Sequence, residues 1–121
     1  MKKDILNRED LEKVLDLFFE KIKTDETLNH FFFEIVKVDW EKHMGQMCDF
    51  WENVLFYSGD YQGNPIDTHR RISEIQKTEI HHFQKWKELF FSSLDSLYKG
   101  KNVEKMKHHS DKIAQVMIQK I

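Results

Sequence analysis

One cysteine, one proline and four glycines in 121 residues remove several architectures at once. A lone Cys48 cannot close an internal disulfide, so no cross-linked framework holds the chain and a reducing compartment is expected. So few turn-formers do not suit an all-β chain with many reversals. No apolar run reaches the length of a membrane-spanning helix. The opening MKKDILNRED lacks an apolar segment of signal-peptide length, so a cytoplasmic location is expected. No block of like charge interrupts the balance of 19 basic against 21 acidic residues, net −2. Neither nucleic acid nor a membrane is therefore an expected partner. The length predicts one domain over 1–121, which buries roughly two-thirds of its unfolded surface.

What the chain has in quantity is phenylalanine, ten in all, set in helical periodicity. Asn7 is a candidate N-cap, followed by acidic Glu9 and Asp10. Leu11, Val14, Leu15, Phe18, Phe19 and Ile22 then recur at helical spacing as one apolar stripe. Thr24 and Asp25 end this helix or cap the next piece. Residues 26–33 read as a short helical turn carrying Phe31, Phe32 and Phe33, three consecutive rings that cannot all face one core. Asp39 can cap a separate helix over 40–57, with Trp40, His43, Met47, Phe50, Trp51 and Val54 on one face and Cys48 slightly off it, an inert small hydrophobe.

The strongest loop signal is GDYQGNP at 59–65. Asn64 and Pro65 suit the start of a short helix with Ile66, His69 and Ile72 on one side. Residues 73–77 read as a loop. A long helix over 78–98 places Ile80, Phe83, Trp86, Phe90, Leu94 and Leu97 on its buried side. Gly100 ends it, and Asn102 can cap a last helix striped by Val103, Met106, Ile113, Val116 and Met117. The adjacent pairs His81-His82 and His108-His109 point about 100° apart on a helix, so neither pair chelates and both read as mostly solvated.

Two histidines have unlike settings. His43 is a polar tip on an apolar stripe, which suits both a core-edge histidine beneath aromatics and an imidazole facing an apolar ligand pocket. His69 stands on a short element after a rigid turn, 26 residues further on. That separation excludes a chelate within one helix but allows two imidazoles to approach one object from opposite sides.

The order of the pieces resembles the truncated haemoglobins, and within them the third group. Trp40-x-x-His43 leads to Asp49-Phe50-Trp51 and Leu55, then to Gly59-x-Tyr61-x-Gly63-x-Pro65-x-x-x-His69, and later to His82-Phe83-x-Lys85-Trp86. The likeness spans about residues 8–118. It implies an all-α fold, a two-over-two helical sandwich around haem b (iron protoporphyrin IX). By the same likeness His69 is the proximal iron ligand, His43, Met47, Phe19 and Trp86 line the distal side, and Phe32 wedges against the porphyrin. Phe50, on the face of His43, joins this cofactor-binding set. Arg70 and Arg71 are candidates for a haem propionate, since guanidinium suits carboxylate, although a solvated charge suits at least one of them better.

The chain departs from that pattern twice. Phe19 stands where the family usually has tyrosine, so a hydroxyl that donates to bound dioxygen is missing. After His69 the chain reads Arg70-Arg71-Ile72-Ser73 without the family's proline. The leading expectation is a haem-binding globin that reversibly binds dioxygen or nitric oxide. One alternative is a haem-dependent redox enzyme acting on nitric oxide or peroxide with a separate reductase, since no reductase fits within this length. The other is a helical interaction module without haem.

Overall fold

The structure is a computed structural model that describes residues 2–56 and 80–120; within the helices, the side chains of Phe32, residues 34–40 and residues 117–120 are not described. The described residues form four helices and no strand: α1 (Arg8–Thr24), α2 (Asn29–Phe56), α3 (Ile80–Leu97) and α4 (Lys101–Lys120). No described helix is long and apolar enough to cross a membrane. Helix α1 packs on α2 and α3, and α3 packs on α4.

Helix α1 begins as its sequence predicts. The Asn7 side chain accepts from the Asp10 amide at 3.0 Å, and Leu11, Val14, Leu15, Phe18, Phe19 and Ile22 are all buried. Both readings of its end hold together: the Asp25 amide bonds to the Ile22 carbonyl at 3.1 Å, closing α1. The Asp25 carboxylate accepts from Thr27 and Leu28 at 2.9 and 3.2 Å, shaping the turn into α2.

Helix α2 corrects the sequence reading. The short piece and the helix expected to start after Asp39 form one continuous helix of 28 residues, about 42 Å long at 1.5 Å per residue. Between Asn29 and Met44 there is no glycine or proline to stop it, so Asp39 lies in a helix interior rather than at a cap. The phenylalanine run behaves as its spacing requires: Phe31 is buried and Phe33 is half exposed.

Two stripes of α2 also separate where the sequence suggested one. Cys48, Trp51 and Leu55 are fully buried, so Cys48 belongs to the core line. His43, Met47, Phe50 and Val54, four and three residues apart, run beside it and are half-buried. In α3 the buried residues are Phe83, Phe90, Ser93 and Leu94, while Ile80 and Leu97 at its two ends are exposed. Tyr98, one residue past the helix, turns inward in place of Leu97.

The start of α4 is capped from a distance. Asp4 accepts from the amides of Asn102 at 3.0 Å and Val103 at 3.3 Å. Asn102, expected to be the cap, lies inside the first turn and donates instead to the Ile5 carbonyl at 2.6 Å. Gly100 makes this approach possible. Its φ is +155°, and a Cβ there would lie 2.4 Å from Asp4 Cγ.

Candidate functional site

The site is assembled where the C-terminal half of α1 meets the half-buried stripe of α2 and the first turns of α3. Phe19 on α1 is buried, and its ring lies 5.7 Å from the His43 ring on α2, tilted 64° in an edge contact. Phe18, its neighbour at 5.2 Å, turns to α3 and meets Trp86 at 6.1 Å and Phe90 at 5.0 Å, both edge-on. Trp86 stacks on Phe90 at 6.0 Å with only 11° between planes, and Phe90 stacks in turn on Trp51 at 5.6 Å. Phe50 closes the series against Trp51 at 4.9 Å. Such edge and offset geometries suit the ring quadrupoles and fix the orientation of Trp86 from behind.

Of the residues expected at the site, Phe19 and His43 touch, and Trp86 joins them through Phe18. Met47 and Phe50 lie on the same α2 stripe as His43 and pack, half-buried, against the main core. His69, Arg70 and Arg71 lie outside the described residues, as do the loop at 59–65, the short helix after it and the loop at 73–77. The side chain of Phe32 is likewise not described.

The aromatic backing was only partly legible in advance. Phe90 and Trp51 stood on their stripes, but their mutual stacking across α2 and α3 has no local signal. The same holds for Arg8 at the opposite end of α1. Its guanidinium donates to Asp49 at 2.7 Å, to Glu52, and to the Gly45 carbonyl at 3.3 Å. The bonds to Asp49 and then Glu52 hold its pKa above an already high ordinary value.

The strongest electrostatics lie away from the aromatic rings. Asp10 is buried and accepts from Lys3 Nζ at 3.0 Å, the Leu6 amide at 2.9 Å and the Tyr98 hydroxyl at 3.1 Å. Burial alone pushes its carboxyl up, but the bonds from Leu6, Lys3 and Tyr98 together hold it below the usual value. Tyr98 is pushed up to about 12, by burial first and by Asp10 second. Burial raises the Cys48 thiol to about 11, so it is protonated and unreactive at neutral pH, as expected for a core cysteine. Among the described residues no group of three or more His, Cys, Asp or Glu side chains is arranged to hold a metal ion. The adjacent histidine pairs also divide: His81 and His108 are exposed, whereas His82 is half-buried, 5.0 Å from Phe31 and 5.9 Å from His30.

Aromatic backing, a half-buried imidazole and an apolar stripe thus lie together on neighbouring helices. No family model matches the chain. It is similar to a group 3 truncated haemoglobin of Campylobacter jejuni subsp. jejuni serotype O:2, 29% identical over 101 residues, 81% of this chain and 77% of that protein. Its fold is similar to the crystal structure of the group III truncated haemoglobin from Campylobacter jejuni, with a TM-score of 0.84 at 25% identity, covering 98% of this chain and 94% of that one. The fold is therefore the all-α truncated globin fold. Sequence and fold are thus both similar to those of group III truncated haemoglobins.

Proposed function

We propose that the chain is a single-domain cytoplasmic globin that holds haem b and reversibly binds a diatomic ligand, dioxygen or nitric oxide. One observation carries this reading: His43, Met47, Phe50 and Val54 form a half-buried stripe beside the fully buried one, next to Phe19 and in line with the aromatic backing of Trp86. An apolar stripe bearing one imidazole and flanked by aromatic rings fits a flat apolar macrocycle. The residues present thus suit the group the family implies. Haem, if bound, would supply an iron that His69 could ligate and that could take up a diatomic ligand.

In this reading His69 holds the iron, and Phe32, Met47 and Phe50 supply apolar area to the porphyrin. His43 and Trp86 face the ligand, each with an N–H that can donate to it. Phe19 offers no donor, and its edge against His43 limits the directions in which that ring can turn. Either Arg70 or Arg71 pairs with a propionate. Turnover of nitric oxide or peroxide would require electrons from a separate reductase.

The test is direct. Purified protein is expected to show a Soret band, His69→Ala to lose most of its haem, and His69→Gly to regain it in part with added imidazole. Full haem content and an unchanged spectrum in His69→Ala would remove His69 from the iron, and purified protein without a Soret band would remove the reading itself.

A further inference from the structure

Gly45 sits within α2, two residues past His43 and eleven short of the helix end. A glycine in a helix interior loses more backbone entropy on folding than any other residue, and close packing is its usual reason. Close packing does not explain it here, because an added Cβ would meet nothing within 4 Å. The neighbour that does reach this point is Arg8. One nitrogen, Nη2, donates to the Gly45 carbonyl at 3.3 Å, while Nη1 donates to Asp49 at 2.7 Å and also to Glu52. Residues 45, 49 and 52 follow one another along one stripe, so a single guanidinium spans two turns of α2 starting at the glycine.

Arg8 is well placed to act as a fixed post. It is the first residue of α1, directly after the Asn7 cap and two residues before the buried Asp10 latch. The same α1 carries Phe19, whose ring makes an edge contact with the His43 ring at 5.7 Å. Helix α1 therefore bears on this part of α2 at two points, by charge at Gly45 and by an aromatic edge at His43.

We propose that Arg8 is a positioning residue for His43: its guanidinium fork pins a compliant joint in α2 at Gly45 and so sets the direction in which the imidazole faces the ligand. The consequence for the ligand rests on the proposed function, but the joint itself does not. Arg8 bonds a carbonyl and two carboxylates through two nitrogens of one rigid guanidinium, which an ammonium cannot reproduce. Without the fork, the glycine leaves α2 free to flex just beyond His43.

Hydrogen exchange over residues 43–49 of the purified protein tests the joint. Arg8→Met is expected to speed exchange there by about fivefold, and Gly45→Ala to slow it by about fourfold. The double variant is expected to return close to the parent. Arg8→Lys, which keeps one carboxylate but not the fork, falls between and covers the case in which Arg8→Met folds poorly. Carbon monoxide added to the reduced haem protein reads the site: its stretching band is single in the parent, split in Arg8→Met, and single again in Arg8→Met/Gly45→Ala. Unchanged exchange in Arg8→Met overturns the proposal. Faster exchange with an undivided carbon monoxide band also overturns it, since Arg8 would then brace the helix without orienting His43. If the purified chain carries no haem, the proposed function fails separately. Exchange and the width of the His43 imidazole proton resonance then decide the proposal, a broad line expected in Arg8→Met and a sharp one in the double variant.

Discussion

The two ends of α1 are held by opposite means. At its start, the Asn7 side chain caps the helix, Arg8 donates to Gly45, Asp49 and Glu52, and Asp10 accepts from Lys3, Leu6 and Tyr98, directional bonds assisted by charge at Arg8 and Asp10. At its end, Phe18, Phe19 and Ile22 contribute buried apolar area and ring contacts. Directional bonds fix positions closely and are already satisfied within the chain. Ring contacts are individually weak and set area and shape rather than a single point. The first end therefore holds the scaffold independently of any ligand. The second suits a flat apolar ligand, which would add to the same aromatic surface.

The largest expected effect would show that the second end is incomplete without its ligand. A ligand bound only by the folded state at a thousand times its Kd stabilises by about 4 kcal/mol. Haem-free protein is expected to unfold at lower temperature and to bind a hydrophobic dye, whereas the start of α1 keeps its slow amide exchange. Equal thermal midpoints for the haem-free and haem-loaded forms would erase the distinction between the two ends.

Next in size is the polar latch. Asp10→Ala leaves the buried Tyr98 hydroxyl and the Leu6 amide without their acceptor, and is expected to cost about 3 kcal/mol in urea unfolding. The haem absorption spectrum is expected to stay unchanged, because Arg8 keeps its own bonds to α2 when the latch is cut. The pH dependence has a definite sign. Asp10 titrates below its ordinary 3.8 in the folded protein. Its contribution is thus complete above that value and is lost as pH falls through the lower, folded-state one. Asp10→Asn is expected to flatten this acid limb. Tyr98, raised to about 12, behaves in the reverse sense: its contribution is complete below the ordinary 10.0 and is lost as pH rises through about 12. A parent and Asp10→Asn with the same acid limb would mean that the latch carries no linked proton.

The difference between the ends also explains what could be read from the sequence. Local periodicity made α1 legible, and the apolar sides of α3 and α4 in part, with Ile80 and Leu97 exposed at the ends of α3, because neighbours three and four apart meet on one face. The continuity of α2 was not legible, since Asp39 serves equally as a cap or as an interior polar residue and only packing decides. The Asp4 cap and the Arg8 fork were beyond local reading: their partners lie 98–99 and 37–44 residues away along the chain. The candidate site was legible largely through family likeness. Spacing put His43 on an apolar stripe, but only the fold brings the Phe19 ring against it and stacks Trp86 on Phe90.

The smallest expected effect bears on the aromatic end alone and asks whether polarity has any part in it. Bound dioxygen carries partial negative charge, and one neutral donor is worth roughly 1 kcal/mol net, more where water is excluded. With Phe19 where the resemblance implies tyrosine, the donors that the proposed function places on this side, among the described residues, are His43 and Trp86. The Phe19 ring is already 5.7 Å from the His43 ring, and in the proposed reading a hydroxyl added to it serves as a further donor to the ligand. Phe19→Tyr is expected to slow dioxygen release about fivefold, the factor that corresponds to one such bond. Trp86→Phe keeps an aromatic ring against Phe18 and Phe90 but removes the N–H, and is expected to speed release. Stopped-flow dissociation of dioxygen from the three proteins decides the matter. If neither substitution changes the rate, ligand escape is governed by the apolar walls alone. Nitric oxide, which depends less on a donor, then becomes the better-suited ligand, and the aromatic end of α1 proves apolar in function as well as in construction.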